Sequence, residues 1–89
     1  MTDTTQTITD ALKAKISGIQ GISYDLNDPD IMKREFVADI GFDSLDMISF
    51  YFELEEEFSV SIGEEDIDSG RVATFGGMVE HIERTSGKS

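Results

Sequence analysis

Apolar residues recur at helical spacing near the start of the chain. Ile8, Leu12 and Ile16 follow the i, i+4, i+8 spacing of one helix face, which predicts a first helix over residues 7–17. The residues expected to start and end this helix are Thr7 or Thr9 as cap, Asp10 in the first turn, and Gly18 with Gly21 at the end.

The strongest helical pattern covers residues 44–58, SLDMISFYFELEEEF. It holds so many large apolar side chains that the helix must either pack on more than one side or expose apolar surface to a partner. Its C-terminal half is crowded with acidic residues, which the helix dipole disfavours there. These are Glu53, Glu55, Glu56 and Glu57. They indicate either partner recognition or a solvated acidic face.

A last helix is predicted over residues 75–84, capped by Thr74 and ending near Arg84. Gly76 and Gly77 weaken its start by about 1 kcal/mol each relative to Ala. Its buried stripe is expected to be Phe75, Met78, Val79 and Ile82. Before it, the short apolar Val60 and Ile62 lead into residues 63–67, which read as a turn or a single helical turn.

Residues 21–43 form a long connection that contains the sole proline, Pro29. It is too apolar for a solvated linker and is expected to pack on the core. The apolar residues concerned are Ile31, Met32, Phe36, Val37 and Ile40. No strand pattern is found. The chain is therefore predicted to be all-α: a small four-helix bundle of three main helices and one short helix, with a long loop between helices 1 and 2. We expect one domain over residues 1–89, with its core at about 7–84 and frayed ends.

The charge is strongly one-sided, with 19 acidic and 7 basic residues and a net charge of −12. Such a surface repels nucleic acid and anionic membranes and favours partners that present basic patches, unless it serves solubility alone. The chain has no cysteine, no apolar run long enough for a membrane span and no basic, apolar leader. We expect a cytoplasmic monomer.

Enzymatic and metal sites are not indicated. The chain has one histidine, His81, and no cysteine, which excludes zinc sites built from these residue types. His81 is expected to be a partly exposed surface residue. A triad from Ser44, His81 and an Asp lacks the G-x-S-x-G turn and a sheet to support it. Residues 25–30 resemble the start of an EF-hand loop, but Pro29 at loop position five and Phe36 at position twelve stand where oxygen ligands are needed. We therefore predict neither catalytic residues nor a metal site.

Asp43 and Ser44 stand where the long connection meets the strong helix. Either residue can cap the helix, and the free N–H groups at a helix start favour a phosphate. Asp43 and Asp46 oppose such a charge electrostatically. On this pattern alone, a plain Asp-Ser cap remains the alternative to a modified serine.

Residues 36–58, FVADIGFDSLDMISFYFELEEEF, resemble the acyl carrier protein signature without a gap. The resemblance implies that Ser44 receives a 4′-phosphopantetheine arm from coenzyme A through a phosphopantetheinyl transferase, with Asp43 and Leu45 completing the motif. It implies partner recognition by Asp46, Met47, Phe52, Glu55 and Glu56. It further implies a core or acyl pocket formed by Ile48, Phe50, Tyr51, Leu54 and Phe58.

The resemblance implies a carrier that performs no catalysis and holds acyl groups as thioesters for acyl transferases, ketosynthases and other synthase enzymes with basic docking patches. Ser49 replaces the usual Glu, Phe52 is bulkier than usual, Gly63 replaces a common proline, and residues 64–73 are about two residues longer than usual. Both a fatty-acid role and a polyketide or other specialised role therefore stay open. The rival hypothesis is a noncatalytic acidic interaction module that shares only the helical fold.

Overall fold

The computed structural model describes residues 4–86, which are built from helices and loops. The four α-helices are α1 (Thr4–Ser17), α2 (Ser44–Phe58), α3 (Glu64–Asp68) and α4 (Phe75–Ser86). The long connection between α1 and α2 contains a 3₁₀ turn, Ile31–Lys33, and a π-helical turn, Phe36–Ile40. Within the described residues, extended pairing is confined to an isolated antiparallel bridge between Glu35 and Thr74. The all-α prediction is confirmed.

Helix α1 begins earlier than the sequence pattern predicts. The first residue of α1 is Thr4. Thr7, Thr9 and Asp10 therefore lie inside the helix, and the predicted caps are wrong. Thr9 is buried and donates its hydroxyl hydrogen bond to the Thr5 carbonyl across 2.7 Å. Thr5 in turn bonds Glu83 of α4, a contact between helices that local pattern does not report. Fraying is predicted outside residues 7–84, but residues 4–6 belong to α1 and residues 85–86 belong to α4. The remaining ends, residues 1–3 and 87–89, lie outside the described residues.

One core joins α1, α2, α4 and the long connection. α1 packs against α4, and α4 also packs against the 3₁₀ turn. The predicted α4 stripe is confirmed, since all four of its residues are buried. The largest fully buried side chains are Ile8, Leu12, Ile16, Phe36, Phe50, Leu54, Val72, Phe75, Met78 and Ile82. Each large apolar side chain that is fully buried contributes about 1.5–3 kcal/mol.

The long connection packs on the core through only part of its apolar set. Ile31, Phe36 and Ile40 are buried as predicted. The prediction that Met32 and Val37 pack on the core is wrong, because their side chains are 38% and 59% exposed. Each is the residue next to a buried anchor in a helical turn, and successive residues of a helical turn do not share a face.

A polar cluster fixes the first half of this connection. The Asp28 carboxylate accepts hydrogen bonds from Arg34 Nε at 2.8 Å and from the Tyr24 hydroxyl. The Arg34 hydrogen bond, followed by that of Tyr24, lowers the pKa of Asp28 to about 2. The hydrogen bond to Asp28 also raises the pKa of Tyr24. The cluster therefore ties residues 24–34 into one folded segment.

The start of α4 requires its two glycines for close approach. A Cβ at Gly76 would lie 2.8 Å from the Met32 carbonyl oxygen, and a Cβ at Gly77 would overlap the Arg71 carbonyl oxygen. Thr74 caps the helix as predicted, because its Oγ1 accepts the Gly77 N–H across 3.0 Å. The low helix propensity at this point is therefore offset by tight packing.

His81 is buried, with only 3% of its surface exposed, so its predicted surface position is wrong. Its ring Nε2 lies 2.9 Å from the Ser61 carbonyl oxygen, and Nδ1 has no partner among the described residues. The segment before α3 packs over α4 and covers more of it than the apolar stripe alone. His81 lies under this covered face. The imidazole thereby links α4 to residues 59–63.

Candidate functional site on helix α2

Ser44 is exposed and forms the first residue of α2. The cap is its neighbour: Asp43 Oδ1 accepts the Asp46 N–H across 2.8 Å, and Asp46 Oδ2 accepts the Asp43 N–H across 3.0 Å. Ser44 itself therefore does not cap the helix. Its hydroxyl has no hydrogen-bond partner among the described residues. It is an accessible nucleophile on a fixed helix end.

Aromatic packing holds the approach to Ser44. Phe42 is 2% exposed, and its ring centroid lies 5.3 Å from that of Phe36 and 5.1 Å from that of Phe50. Gly41, with φ of +106°, supplies the left-handed turn that brings Phe42 inward. Edge-to-face and tilted contacts at these distances are favourable beyond simple burial. The serine is therefore presented by a rigid junction, although it lies at a loop end.

The charge around Ser44 has two opposing parts. The first turn of α2 offers backbone N–H groups and the positive end of the helix dipole, which favour a bound phosphate. The carboxylates of Asp43 and Asp46 oppose it, but both are already engaged with backbone N–H groups. The site therefore tolerates a phosphodiester better than the bare acidic sequence suggests.

An open groove of about 190 Å³ runs along α2 beyond Ser44. Its lining residues are Ile48, Tyr51, Phe52, Glu55 and Ile62. Glu55 Oε2 accepts the Ile62 N–H across 2.8 Å, which holds the segment after α2 against the helix. Burial raises the pKa of the Tyr51 hydroxyl. The groove is mainly apolar and carries polar groups at Tyr51 and Glu55.

The structure sorts the predicted apolar site residues differently from the sequence. Phe50 and Leu54 lie in the core, Phe58 is half-buried against it, and Tyr51 borders the groove. Ile48 is not a core residue, because it is 52% exposed on the face that Ser44 begins. Met47 is 8% exposed, so it packs inward and is no accessible contact for a partner.

The acidic residues of α2 divide into structural and free groups. Lys15 of α1 pairs with Glu57 at 3.0 Å and Glu53 at 3.7 Å. Glu55 is half-buried and bonded to the Ile62 N–H. Glu56 is exposed and has no partner among the described residues. Lys15 is not among the residues predicted from the sequence, where its only signal is its position beside the apolar stripe of α1.

The described residues 4–86 contain neither a membrane-spanning helix nor a metal-binding cluster. None of the helices in this range is long and apolar enough to cross a membrane. No group of three or more His, Asp or Glu side chains in the same range is placed to hold a metal ion.

The chain is similar to a known protein family and to a known protein. The phosphopantetheine attachment site family matches residues 10–82 of the chain. The acyl carrier protein of Wolinella succinogenes is 40% identical over 57 residues, which cover 62% of this chain and 72% of that protein. The family match spans all of α2 and α3, the second part of α1 with Leu12 and Ile16, and α4 as far as Ile82.

Proposed function

This chain belongs to the acyl carrier protein family, and from that premise we propose that Ser44 carries its phosphopantetheine arm. Proteins of this family are carriers and not catalysts, and the prosthetic group is covalently attached phosphopantetheine. When bound, that group supplies a terminal thiol that holds an acyl chain as a thioester. The protein supplies the attachment point, the docking surface and shelter.

The assignment rests on the environment of the Ser44 hydroxyl. It is exposed at the first residue of α2, has no hydrogen-bond partner among the described residues, and sits on a helix end fixed by the Asp43–Asp46 box. Ser49, on the same helix, is also exposed but lies away from the helix end and its N–H groups. Helix-start geometry therefore favours Ser44 over Ser49.

The modification that we propose transfers the phosphopantetheine group from coenzyme A to the Ser44 hydroxyl. Ser44 Oγ attacks the phosphorus of coenzyme A that bears the pantetheine. A serine phosphodiester forms, the pyrophosphate bond breaks, and adenosine 3′,5′-bisphosphate leaves. The hydroxyl proton passes to a base of the transferase, because the neighbouring Asp43 carboxylate is engaged in the helix cap. The acidic neighbours are expected to serve transferase docking instead.

We further propose that the exposed face of α2 meets synthase enzymes and the phosphopantetheinyl transferase. Leu45 is 74% exposed and Phe52 is 64% exposed, which is unusual for large apolar side chains. Glu56, four residues after Phe52 on the same helix, is exposed and has no cation partner among the described residues. Such a mixed patch fits a partner with a basic rim and an apolar centre, and acidic steering increases the association rate.

The acyl cargo of this proposal comes from a fatty-acid, polyketide or related lipid pathway, and the carrier shuttles it between the enzymes of that pathway. Tethering turns each transfer into an encounter at high effective concentration once a partner has docked. The chain has no cysteine, so no thiol of the protein competes with the arm for the acyl group.

Intact mass measurement tests the proposal. The purified apo protein is incubated with coenzyme A and a promiscuous phosphopantetheinyl transferase. We expect a mass increase of one phosphopantetheine in the wild type and in Ser49→Ala, and no increase in Ser44→Ala. A folded Ser44→Ala variant that still gains the arm, or a wild type that gains nothing, would contradict the assignment.

A further inference from the structure

Lys15 connects α1 with the acidic half of α2. Its ammonium nitrogen lies 3.0 Å from Glu57 Oε1 and 3.7 Å from Glu53 Oε1. The Lys15 side chain is only 18% exposed, whereas the side chains of Glu53 and Glu57 are 58% and 47% exposed. The lysine is therefore held between the two helices, and the two carboxylates bind it from the surface of α2.

This bridge relieves a repulsion within α2. Glu53 and Glu57 are four residues apart, and like charges at that spacing destabilise a helix. Both also lie in the C-terminal half of α2, where the helix dipole disfavours negative charge. A cation that contacts both carboxylates offsets these effects, because the group then carries one net negative charge in place of two.

The two glutamates belong to an acidic flank of α2 that consists of Asp46, Glu53 and Glu57. These residues are separated by seven and four positions, which places them on one side of the helix. Each carboxylate of the flank already has a partner in the protein. Asp46 accepts the Asp43 N–H, and the two glutamates bind Lys15. The flank is therefore charged but internally engaged.

A second exposed row of α2 is in a different state. This open ridge consists of Leu45, Ser49, Phe52 and Glu56, whose spacing of four, three and four positions also follows one side of the helix. All four side chains are exposed, and Glu56 has no cation partner among the described residues. Phe52 and Glu56 are helical neighbours. The open ridge therefore presents a free carboxylate beside apolar surface.

A basic enzyme meets different conditions on these two sides of α2. A lysine or arginine that approaches Glu57 must compete with the ammonium of Lys15, which is already 3.0 Å from that carboxylate. At Glu56 there is no such competitor among the described residues. Because an exposed ion pair contributes little free energy, displacing an internal pair removes most of the gain from a new one.

We propose that Lys15 is a specificity-determining residue, which neutralises the acidic flank and thereby confines the docking of basic enzymes to the open ridge. Making the alternative contacts unfavourable is one of the two ways in which an interface gains specificity. The inference rests on the proposed function, since the basic enzymes concerned are those that act on a carrier. A residue of α1 thus determines which side of α2 a partner contacts.

Transferase kinetics at low ionic strength test this proposal, with arm transfer followed by intact mass. Lys15→Met removes the charge but retains a long side chain. The matched control is Lys13→Met, which removes the same charge from a lysine that has no ion pair among the described residues. We expect KM to fall about twofold in Lys15→Met and to change little in Lys13→Met, with kcat unchanged in both. Lys15→Arg, which keeps the charge, should behave as the wild type.

A double-mutant cycle provides the decisive comparison. In the wild type, Glu57→Gln should change KM little, whereas in the Lys15→Met background the same substitution should raise KM about twofold. Because Glu57→Gln leaves α1 unchanged, its effect in the wild type tests the proposal even if Lys15→Met disturbs the fold. The changes in KM should disappear at about 0.5 M salt, where exposed charges are screened.

Two results overturn the proposal. Equal KM values for Lys15→Met and Lys13→Met would show that only the net charge of the carrier matters. A Glu57→Gln effect of the same size in both backgrounds would show that partners contact the acidic flank in the wild type. Absence of the mass increase in every protein, the wild type included, is a distinct result, because it rejects the carrier function before docking is compared.

Discussion

Asp43 and Asp46 bond each other's backbone reciprocally, with distances of 2.8 and 3.0 Å from each N–H to the partner's carboxylate. This pair ends the long connection and begins α2 at the residue that bears the proposed attachment hydroxyl. Because the cap is made by side chains on either side of Ser44, the serine is spared from capping. The free Ser44 hydroxyl therefore depends on the reciprocal cap that Asp43 and Asp46 form.

We expect Asp43→Ala to lower the free energy of unfolding by about 1 kcal/mol, which is typical for loss of a helix cap. Asp43→Ser, which retains a capping oxygen, should lose less than half of this. Urea unfolding followed by circular dichroism measures both variants. Equal losses in the two variants would show that the cap does not control this helix start.

Alanine at Gly77 should destabilise the fold even though alanine is the better helix former by about 1 kcal/mol. The new Cβ would overlap the Arg71 carbonyl oxygen, and at Gly76 it would press on that of Met32 at 2.8 Å. We expect a lower thermal midpoint for Gly77→Ala and a smaller decrease for Gly76→Ala. A higher midpoint for Gly77→Ala would indicate that propensity outweighs packing here.

The Asp28 cluster should make stability depend on pH in acid. The pKa of Asp28 is about 2 in the fold, whereas an unfolded aspartate has a pKa of about 3.9. A lowered folded pKa means that the contribution is fully present above about pH 4 and is lost as the pH falls toward 2. The difference in thermal midpoint between the wild type and Asp28→Asn should therefore shrink from pH 6 to pH 2.5.

A constant difference between these two proteins over that pH range would remove Asp28 as the titrating group. Asp30→Asn is the matched control, because Asp30 is exposed and its distance to Arg34 Nη2 is 3.9 Å, in place of the 2.8 Å contact that Asp28 makes. The Asp30 variant should show little change with pH relative to the wild type. Exposed ion pairs of this kind contribute at most about 1 kcal/mol.

The division of the acidic run on α2 predicts unequal effects on partner encounter. Glu56→Gln should lower kcat/KM for arm transfer about two- to fivefold at low ionic strength, because Glu56 is exposed and free to steer a basic partner. Glu53→Gln should have less effect, since Lys15 already neutralises Glu53 in part. Both effects should fade at 0.5 M salt, where screening is strong.

Identical losses for the two variants, or losses that do not depend on salt, would contradict selective steering by Glu56. Salt-independent binding would instead indicate that the exposed apolar side chains Leu45 and Phe52 dominate the encounter. Steady-state kinetics of the transferase at two ionic strengths distinguishes these cases.

Sequence reasoning predicted the parts of this fold that local patterns determine. The bounds of α2 and the buried stripe of α4 follow from periodicity and capping residues. Inside α2, neither periodicity nor the resemblance separates Met47 from Ile48, because they are adjacent apolar residues on a helix with a wide apolar arc. Only tertiary packing decides that Met47 faces the core and that Ile48 lines the groove.

The other misses have the same physical origin. His81 is buried because the segment after α2 covers it, and Lys15 meets α2 across the helix interface. Neither contact can be predicted from the local sequence pattern. The motif predicts Ser44 as the attachment residue, but its freedom from capping is visible only in the hydrogen bonds of Asp43 and Asp46.

We propose that Ser44 alone carries the arm. Tandem mass spectrometry of proteolysed holo protein tests it most directly, because fragmentation localises the phosphodiester to one side chain. We predict that the arm is found on the peptide that contains Ser44, with fragment ions assigning it to that residue. Localisation to Ser49, or to a serine outside α2, would contradict the account.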